Sequence, residues 1–122
     1  MKPYERYVYE VAYDVLEEHS EEYEAWLPTA IEQWITSEKL DGFSSEANVI
    51  GESQDVRLRF EFEALADWAE FVESGPHKRS LDRLEAMTER LRTDLWEPTA
   101  ISLDSQPSSG ASTTVRGLRW SG

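Results

Sequence analysis

From Gln54 to Glu63 the chain alternates without a break, with Val56, Leu58, Phe60 and Phe62 on one side and Arg57, Arg59, Glu61 and Glu63 on the other. Period two of this quality predicts a strand whose apolar row meets a core and whose charged row meets something polar, as in an antiparallel sheet covered on one face. Tyr4 to Val15 sorts the same way, with Tyr9, Val11, Tyr13 and Val15 against Val8, Glu10, Ala12 and Asp14, and predicts a first strand. Between them, Tyr23, Trp26, Leu27, Ala30, Ile31, Trp34 and Ile35 keep the spacing of an amphipathic helix. Ser20 is its expected N-cap and Gly42 its left-handed C-cap, with Phe43 folding back on the last turn. Pro28 removes one backbone donor and should bend the axis near Glu24.

Ser44 to Ile50 predicts a shorter strand, and Gly51 to Asp55 a polar turn that makes it a hairpin with the Val56 strand. From Ala64 the period becomes helical, with Leu65, Trp68, Ala69 and Val72 on one face. Ser74-Gly75-Pro76 then interrupts, Gly75 closing one helix and Pro76 opening the next. The second helical segment takes Leu81, Leu84, Met87, Thr88, Leu91 and Leu95 as its inner stripe. Pro98 bars a helix beyond Trp96, and Thr99 to Leu103 is expected as a last short strand.

Strand, helix, strand, strand, helix, strand is the ferredoxin-like βαββαβ order, an α+β fold with one four-stranded antiparallel sheet and both helices on one face. The first and third strands should lie side by side in the middle. This domain is expected over residues 1–103. From Asp104 the composition turns to Ser, Thr, Gly and Pro, giving a tail over 104–122 of linker character. It ends in Val115, Leu118 and Trp120 interleaved with Arg116 and Arg119, a basic and apolar tip that reads as a docking segment or as a plain terminus.

With 122 residues and no cysteine, the chain is long enough to bury roughly two thirds of its unfolded surface without a staple, and thiolate chemistry is closed to it. No apolar run approaches the roughly 20 residues of a membrane span, and the N-terminus lacks a signal-peptide core, so a soluble cytoplasmic protein is expected. The formal net charge of −13 argues against nucleic acid and anionic membranes as partners, since both would be repelled at long range. Lys2, Lys39 and Lys78 are the only lysines among abundant Asp and Glu, which fits a halophilic, high-salt cytoplasm as well as an ordinary acidic protein. Charge runs such as Glu17-Glu18 and Glu21-Glu22 read as solvated surface.

Two stretches carry a family likeness. Asp67 to Lys78, ending Ser74-Gly75-Pro76-His77-Lys78, resembles the "helix, Ser-Pro-x-His, helix" passage of the dimeric α/β-barrel superfamily, which includes antibiotic-biosynthesis monooxygenases, stress-responsive barrels and NIPSNAP-like proteins. Tyr9 to Val15 followed by Trp26-Leu27 and Gly42-Phe43 is similar to a small uncharacterised family within that fold. Where that family often carries His-Ile-Pro in its first helix, this chain has Trp34, Ile35 and Thr36, so no histidine role carries over there. The resemblance covers about residues 4 to 103. It implies a homodimer in which two sheets pack face to face and close a barrel, with Glu10, Ala12, Arg57, Arg59 and Glu61 pointing inward. Charges so enclosed must pair with one another or meet water or ligand.

The chemistry therefore centres on Arg57 and Arg59 as a cationic site for a small anionic molecule, balanced by Glu10 and Glu61, with His77 near the barrel mouth as candidate acid or base. The alternative makes the same charges cross-strand or cross-dimer ion pairs and leaves His77 on the surface. His19 lies among glutamates and reads as solvent-facing. Two separated histidines and no cysteine give no expectation of a metal, and the absence of a Gly-rich phosphate loop, nucleophile elbow or dinucleotide fingerprint gives none of a cofactor. Trp26, Trp34 and Trp68 read as core, or as the wall of an aromatic pocket between helix and sheet. Two classes of function remain: a binder of a small anionic or apolar molecule on the open sheet face or a cofactor-free oxygenase-type enzyme, and a non-enzymatic dimer. They differ in whether the open sheet face holds a cavity with Arg57 or His77 at its wall.

Overall fold

A computed structural model describes residues 6–99. The elements are β1 (Tyr7–Val15), a 3-10 turn (Glu17–His19), α1 (Ser20–Ile35), β2 (Gly42–Ala47), β3 (Val56–Phe62), α2 (Leu65–Glu73), α3 (Gly75–Met87) and β4 (Thr88–Trp96). The sheet is antiparallel with order β2-β3-β1-β4, so the two strictly alternating strands are the central pair, as expected. Among the described residues no helix is long and apolar enough to cross a membrane.

Side-chain alternation decides which face is covered. Tyr9, Val11 and Tyr13 of β1 and Leu58, Phe60 and Phe62 of β3 point to the helices, each 5 % exposed or less. They meet Tyr23, Ala30 and Trp34 of α1, Phe71 of α2 and Leu84 and Met87 of α3 in one cluster. Phe60 stands at its centre, with ring centroids 5.2 Å from Trp34, 5.2 Å from Phe43, 5.6 Å from Tyr9 and 5.5 Å from Phe71. Tilted and edge-to-face contacts of this kind add to plain area burial.

The structure redraws three boundaries. First, α1 ends at Ile35, where the Thr36 hydroxyl donates to the Gln33 carbonyl at 2.8 Å, and Gly42 opens β2 instead of capping the helix. Gly42 has no positive φ, and a Cβ there would meet only the flexible end of Glu61, 2.8 Å from Oε1, so no left-handed turn calls for the glycine. Phe43 nonetheless packs on the last turn of α1, its ring 6.0 Å from Trp34. At its other end α1 begins at Ser20 with His19 as N-cap, and Pro28 is held inside it. Second, β2 stops at Ala47, and Asn48 to Ile50 belong to the hairpin loop. Third, Thr88–Trp96, expected as the end of a helix, is the last strand among the described residues, and Ala100 to Leu103 of the expected Thr99 to Leu103 strand lie outside them. Thr99 lies past its end, and residues 100–122, including the expected tail, fall outside the described residues.

The third correction has a plain cause. Leu84, Met87, Leu91 and Leu95 satisfy a helical stripe, but Leu91, Thr93 and Leu95 against Arg90, Arg92, Asp94 and Trp96 also satisfy period two. Thr88 turns extended (φ −137°, ψ 171°), and the open edge of β1 takes the segment as a strand over Val8 to Val15. Tertiary pairing overrides the local pattern.

Because Phe60 is fully buried and touches rings from every layer, Phe60→Ala should lower unfolding free energy by about 3–5 kcal/mol. Urea titration followed by tryptophan fluorescence measures the loss; a cost under about 1 kcal/mol would contradict this packing.

Candidate functional site

The charged row predicted from the alternating strands lies on the face opposite the helices. Register sets Glu10 across from Arg59 and Ala12 across from Arg57, while Ser44 and Glu46 of β2 flank the same two arginines. Arg57 is claimed twice, its guanidinium 2.7 Å from Glu46 and 3.1 Å from Glu10. The hydrogen bond to Glu46, then the charge of both carboxylates, raises its pKa, although burial works against this. Glu10 is only 8 % exposed, and its second oxygen accepts from the Trp96 indole N–H at 2.9 Å. Both of its oxygens are therefore satisfied, which removes most of the cost of burying a carboxylate.

Glu61 stands apart from that group. Arg6 donates to it at 3.1 Å and to the Asp41 carbonyl at 3.1 Å. Arg92 pairs with Asp94 along β4 at 3.0 Å. The side chain of Arg59, a half-buried residue between Glu10 and Ser44, makes no hydrogen bond or ion pair among the described residues. Of the four residues expected as one binding set, the structure thus couples Glu10 with Arg57, assigns Glu61 to Arg6, and leaves Arg59 uncommitted.

Beside this row runs a groove of about 350 Å³ floored by Glu10, Ala12, Arg57 and Arg92 and walled by the β2–β3 hairpin loop. The loop is tied down. Asp14 accepts from the Asp55 amide at 2.7 Å and pairs with Arg90, which in turn donates to the Glu52 carbonyl at 3.2 Å. Gln54 returns a hydrogen bond to the Arg90 carbonyl at 3.0 Å, and Asn48 closes the loop onto Ser53 at 3.0 Å. The Arg90 hydrogen bond holds the Asp14 carboxyl below the usual range. Arg90 itself sits at φ 54° in a bulge of β4.

His77 is on the other side of the sheet. Ser74 ends α2 by donating its hydroxyl to the Phe71 carbonyl at 2.6 Å and caps α3 by accepting from the His77 amide at 3.3 Å. Pro76 fits the first turn of α3, and the third residue of that turn faces inward. The imidazole is 2 % exposed, neither at a barrel mouth nor on the surface. Its Nε2 is 2.9 Å from the Tyr9 hydroxyl, and its ring lies 4.8 Å from Phe71. Burial lowers its pKa to about 4 and pushes that of Tyr9 up to about 12, so both are neutral at pH 7. Among the described residues three buried side-chain nitrogens have no partner: His77 Nδ1, Trp34 Nε1 and Trp68 Nε1. Their rings all surround the Tyr9–Phe60 pair, at centroid distances of 5.2 to 6.3 Å.

Sequence reading did not find Glu46, Trp96, Arg6 or the hairpin wall. The helical pattern puts Trp96 at a helix end, and its place on the open face follows only once β4 is a strand. Tyr9 was placed on the apolar row, but nothing in the pattern pairs it with a residue 68 positions away. Among the described residues no group of three or more His, Asp or Glu side chains is arranged to hold a metal.

The fold is shared with solved structures of low sequence identity. A DABB family protein with a ferredoxin-like fold from Mesorhizobium loti superposes with a TM-score of 0.68 at 15 % identity, over 78 % of this chain and 98 % of that one. A hydroxynitrile lyase from Passiflora edulis gives 0.69 at 10 % identity, over 82 % and 99 %. A dimeric ferredoxin-like protein of unknown function from Bacteroides fragilis gives 0.61 at 17 %, over 75 % and 95 %. No family model matches the sequence, and no curated protein matches it. At these identities the likeness establishes the fold, the one the sequence resemblance implied, and leaves the chemistry to the residues.

The histidine gives a signed pH effect. The unfolded chain takes up a proton near pH 6.5 and the folded chain only near 4, so His77 removes stability as pH falls through that window, by about 3 kcal/mol in all. Denaturant unfolding between pH 7 and 4.5 should therefore show a steeper loss for wild type than for His77→Phe. Parallel pH profiles would contradict a buried neutral imidazole.

Proposed function

We propose that this chain works as a homodimer whose sheets meet on their charged faces and hold a small anionic molecule between them, with Arg59 as its principal contact. Arg59 carries the reading: a half-buried arginine in the middle of the sheet, with no carboxylate partner among the described residues, in a chain of 25 acidic residues. A free planar fork suits a carboxylate or a similar anion. Glu10 and Glu61 balance the face through Arg57, Trp96 and Arg6. The groove, floored by Arg57 two residues along β3 from Arg59 and not reaching Arg59 itself, supports a binder over a purely structural dimer. The dimeric neighbour from Bacteroides fragilis supports the pairing of copies.

The test is a thermal-shift screen of small aliphatic and aromatic carboxylates on wild type, Arg59→Ala and Arg57→Ala. A stabilising ligand should lose at least tenfold in affinity in Arg59→Ala. A screen that stabilises all three equally would remove the site.

A second reading, cofactor-free enzyme chemistry of the oxygenase type, is favoured by the helix-side cluster. Three buried nitrogens without partners, next to a neutral His–Tyr pair, mark a place where a polar ligand would satisfy groups that otherwise cost about 1–3 kcal/mol each. Ligand stabilisation that survives in Arg59→Ala but is lost in His77→Gln and Tyr9→Phe would move the site there.

The acidic surplus supports a high-salt cytoplasm as the setting. Raising KCl from about 0.1 to about 1 M shortens the screening length from about 10 to about 3 Å and should raise the melting temperature. A flat response would argue for an ordinary acidic protein.

A further inference from the structure

The two most exposed large apolar side chains in the described structure are neighbours: Val49, 93 % exposed, and Ile50, 91 %. They form the tip of the hairpin loop that Asp14, Arg90, Gln54 and Asn48 hold in place. A loop fixed by that many hydrogen bonds, yet offering bare valine and isoleucine to water, is built as an anchor for something.

Register locates its counterpart. The hairpin tip lies at the β2 edge, beyond the Ala47, Val56 and Tyr13 level of the sheet. Trp96, 57 % exposed, lies at the β4 edge and at the other end, level with Val8 and Glu61 on the open face. Hairpin tip and indole thus occupy diagonally opposite corners of one face. A two-fold axis lying along the other diagonal, between two such faces, brings each tip to the Trp96 corner of the other copy and crosses the strands steeply, as in orthogonal sheet packing. The charges permit the approach. Glu10, Asp14, Glu46, Glu61, Glu89 and Asp94 on this face are interspersed with Arg6, Arg57, Arg59, Arg90 and Arg92, so a strongly acidic chain presents a nearly balanced surface here.

We infer that the occupant is a second copy: the Val49–Ile50 tip of each chain docks against Trp96 of the other, and the second chain's indole closes the groove walled by the hairpin. This rests on the homodimer reading and adds to it the contact and a groove completed in trans.

The chain has no cysteine, so single thiols report cleanly. Ile50→Cys and Trp96→Cys chains, prepared separately, mixed and oxidised, should give a disulfide-linked pair on a non-reducing gel, while each variant alone stays unlinked. Independently, Val49→Glu with Ile50→Glu, both at exposed positions, should raise the dimer dissociation constant at least tenfold by sedimentation with the melting profile of the fold retained. A wild-type dimer without the mixed disulfide, or with an unchanged dissociation constant in the glutamate variant, would overturn the docking and leave the homodimer standing. A monomeric wild type would remove both.

Discussion

Successive side chains of an extended chain must point to opposite faces, and in the central β1–β3 pair this constraint sorts the whole molecule. Tyr9, Val11, Tyr13, Leu58, Phe60 and Phe62 are committed to the helices, and Glu10, Ala12, Arg57, Arg59 and Glu61 to the face without them. Neither row can be altered by one register step without exchanging core for surface. Everything else is arranged around that division, from the ring of aromatic side chains about Phe60 to the Arg57 ion pair and the Trp96 hydrogen bond that keep Glu10 tolerable at 8 % exposure.

The two faces solve the problem of polar groups differently. On the open face, most carboxylates and guanidinium groups are matched, and among the described residues Arg59 is the arginine left without a carboxylate. On the helix face, the polar groups are few and uncharged. Tyr13 and Tyr23 share a hydrogen bond of 2.6 Å, and burial, that bond and the neighbouring phenol push the Tyr13 hydroxyl far above its ordinary range. His77 and Tyr9 share another, while three nitrogens go without. A charged face balanced by pairs and a neutral interior with unspent donors are different kinds of binding opportunity, and the same fold accommodates both.

Sequence reading succeeded where periodicity had one interpretation. The β1 and β3 alternation gave the central pair, and the stripe from Tyr23 to Ile35 gave α1. It failed where one stretch met two templates, as Leu84 to Leu95 does, because only the free edge of β1 distinguishes strand from helix there. The charged row was legible as a row, but its pairing was not. Glu10 lies opposite Arg59 yet bonds Arg57 and Trp96, and side-chain reach of that sort is decided by neighbours on β2 and β4. His77 was misplaced for a related reason: Ser-Gly-Pro announced a helix start, but the side on which its third residue falls depends on how α3 lies on the sheet.

The bulge at Arg90 has a consequence for how the chain tolerates insertions and deletions. β4 spends one more residue than β1 between the Asp14–Glu89 and Ala12–Arg92 pairs, and that extra residue sets the parity of everything after it. Were the strand to run without it, Arg92 would fall opposite Val11 on the helix side, and Leu91 would turn to the open face. The hydrophobic edge of the core and the indole at the corner of the charged face are thus held in phase by a single left-handed residue. A frame of one amino acid there sets which side of the sheet is wet.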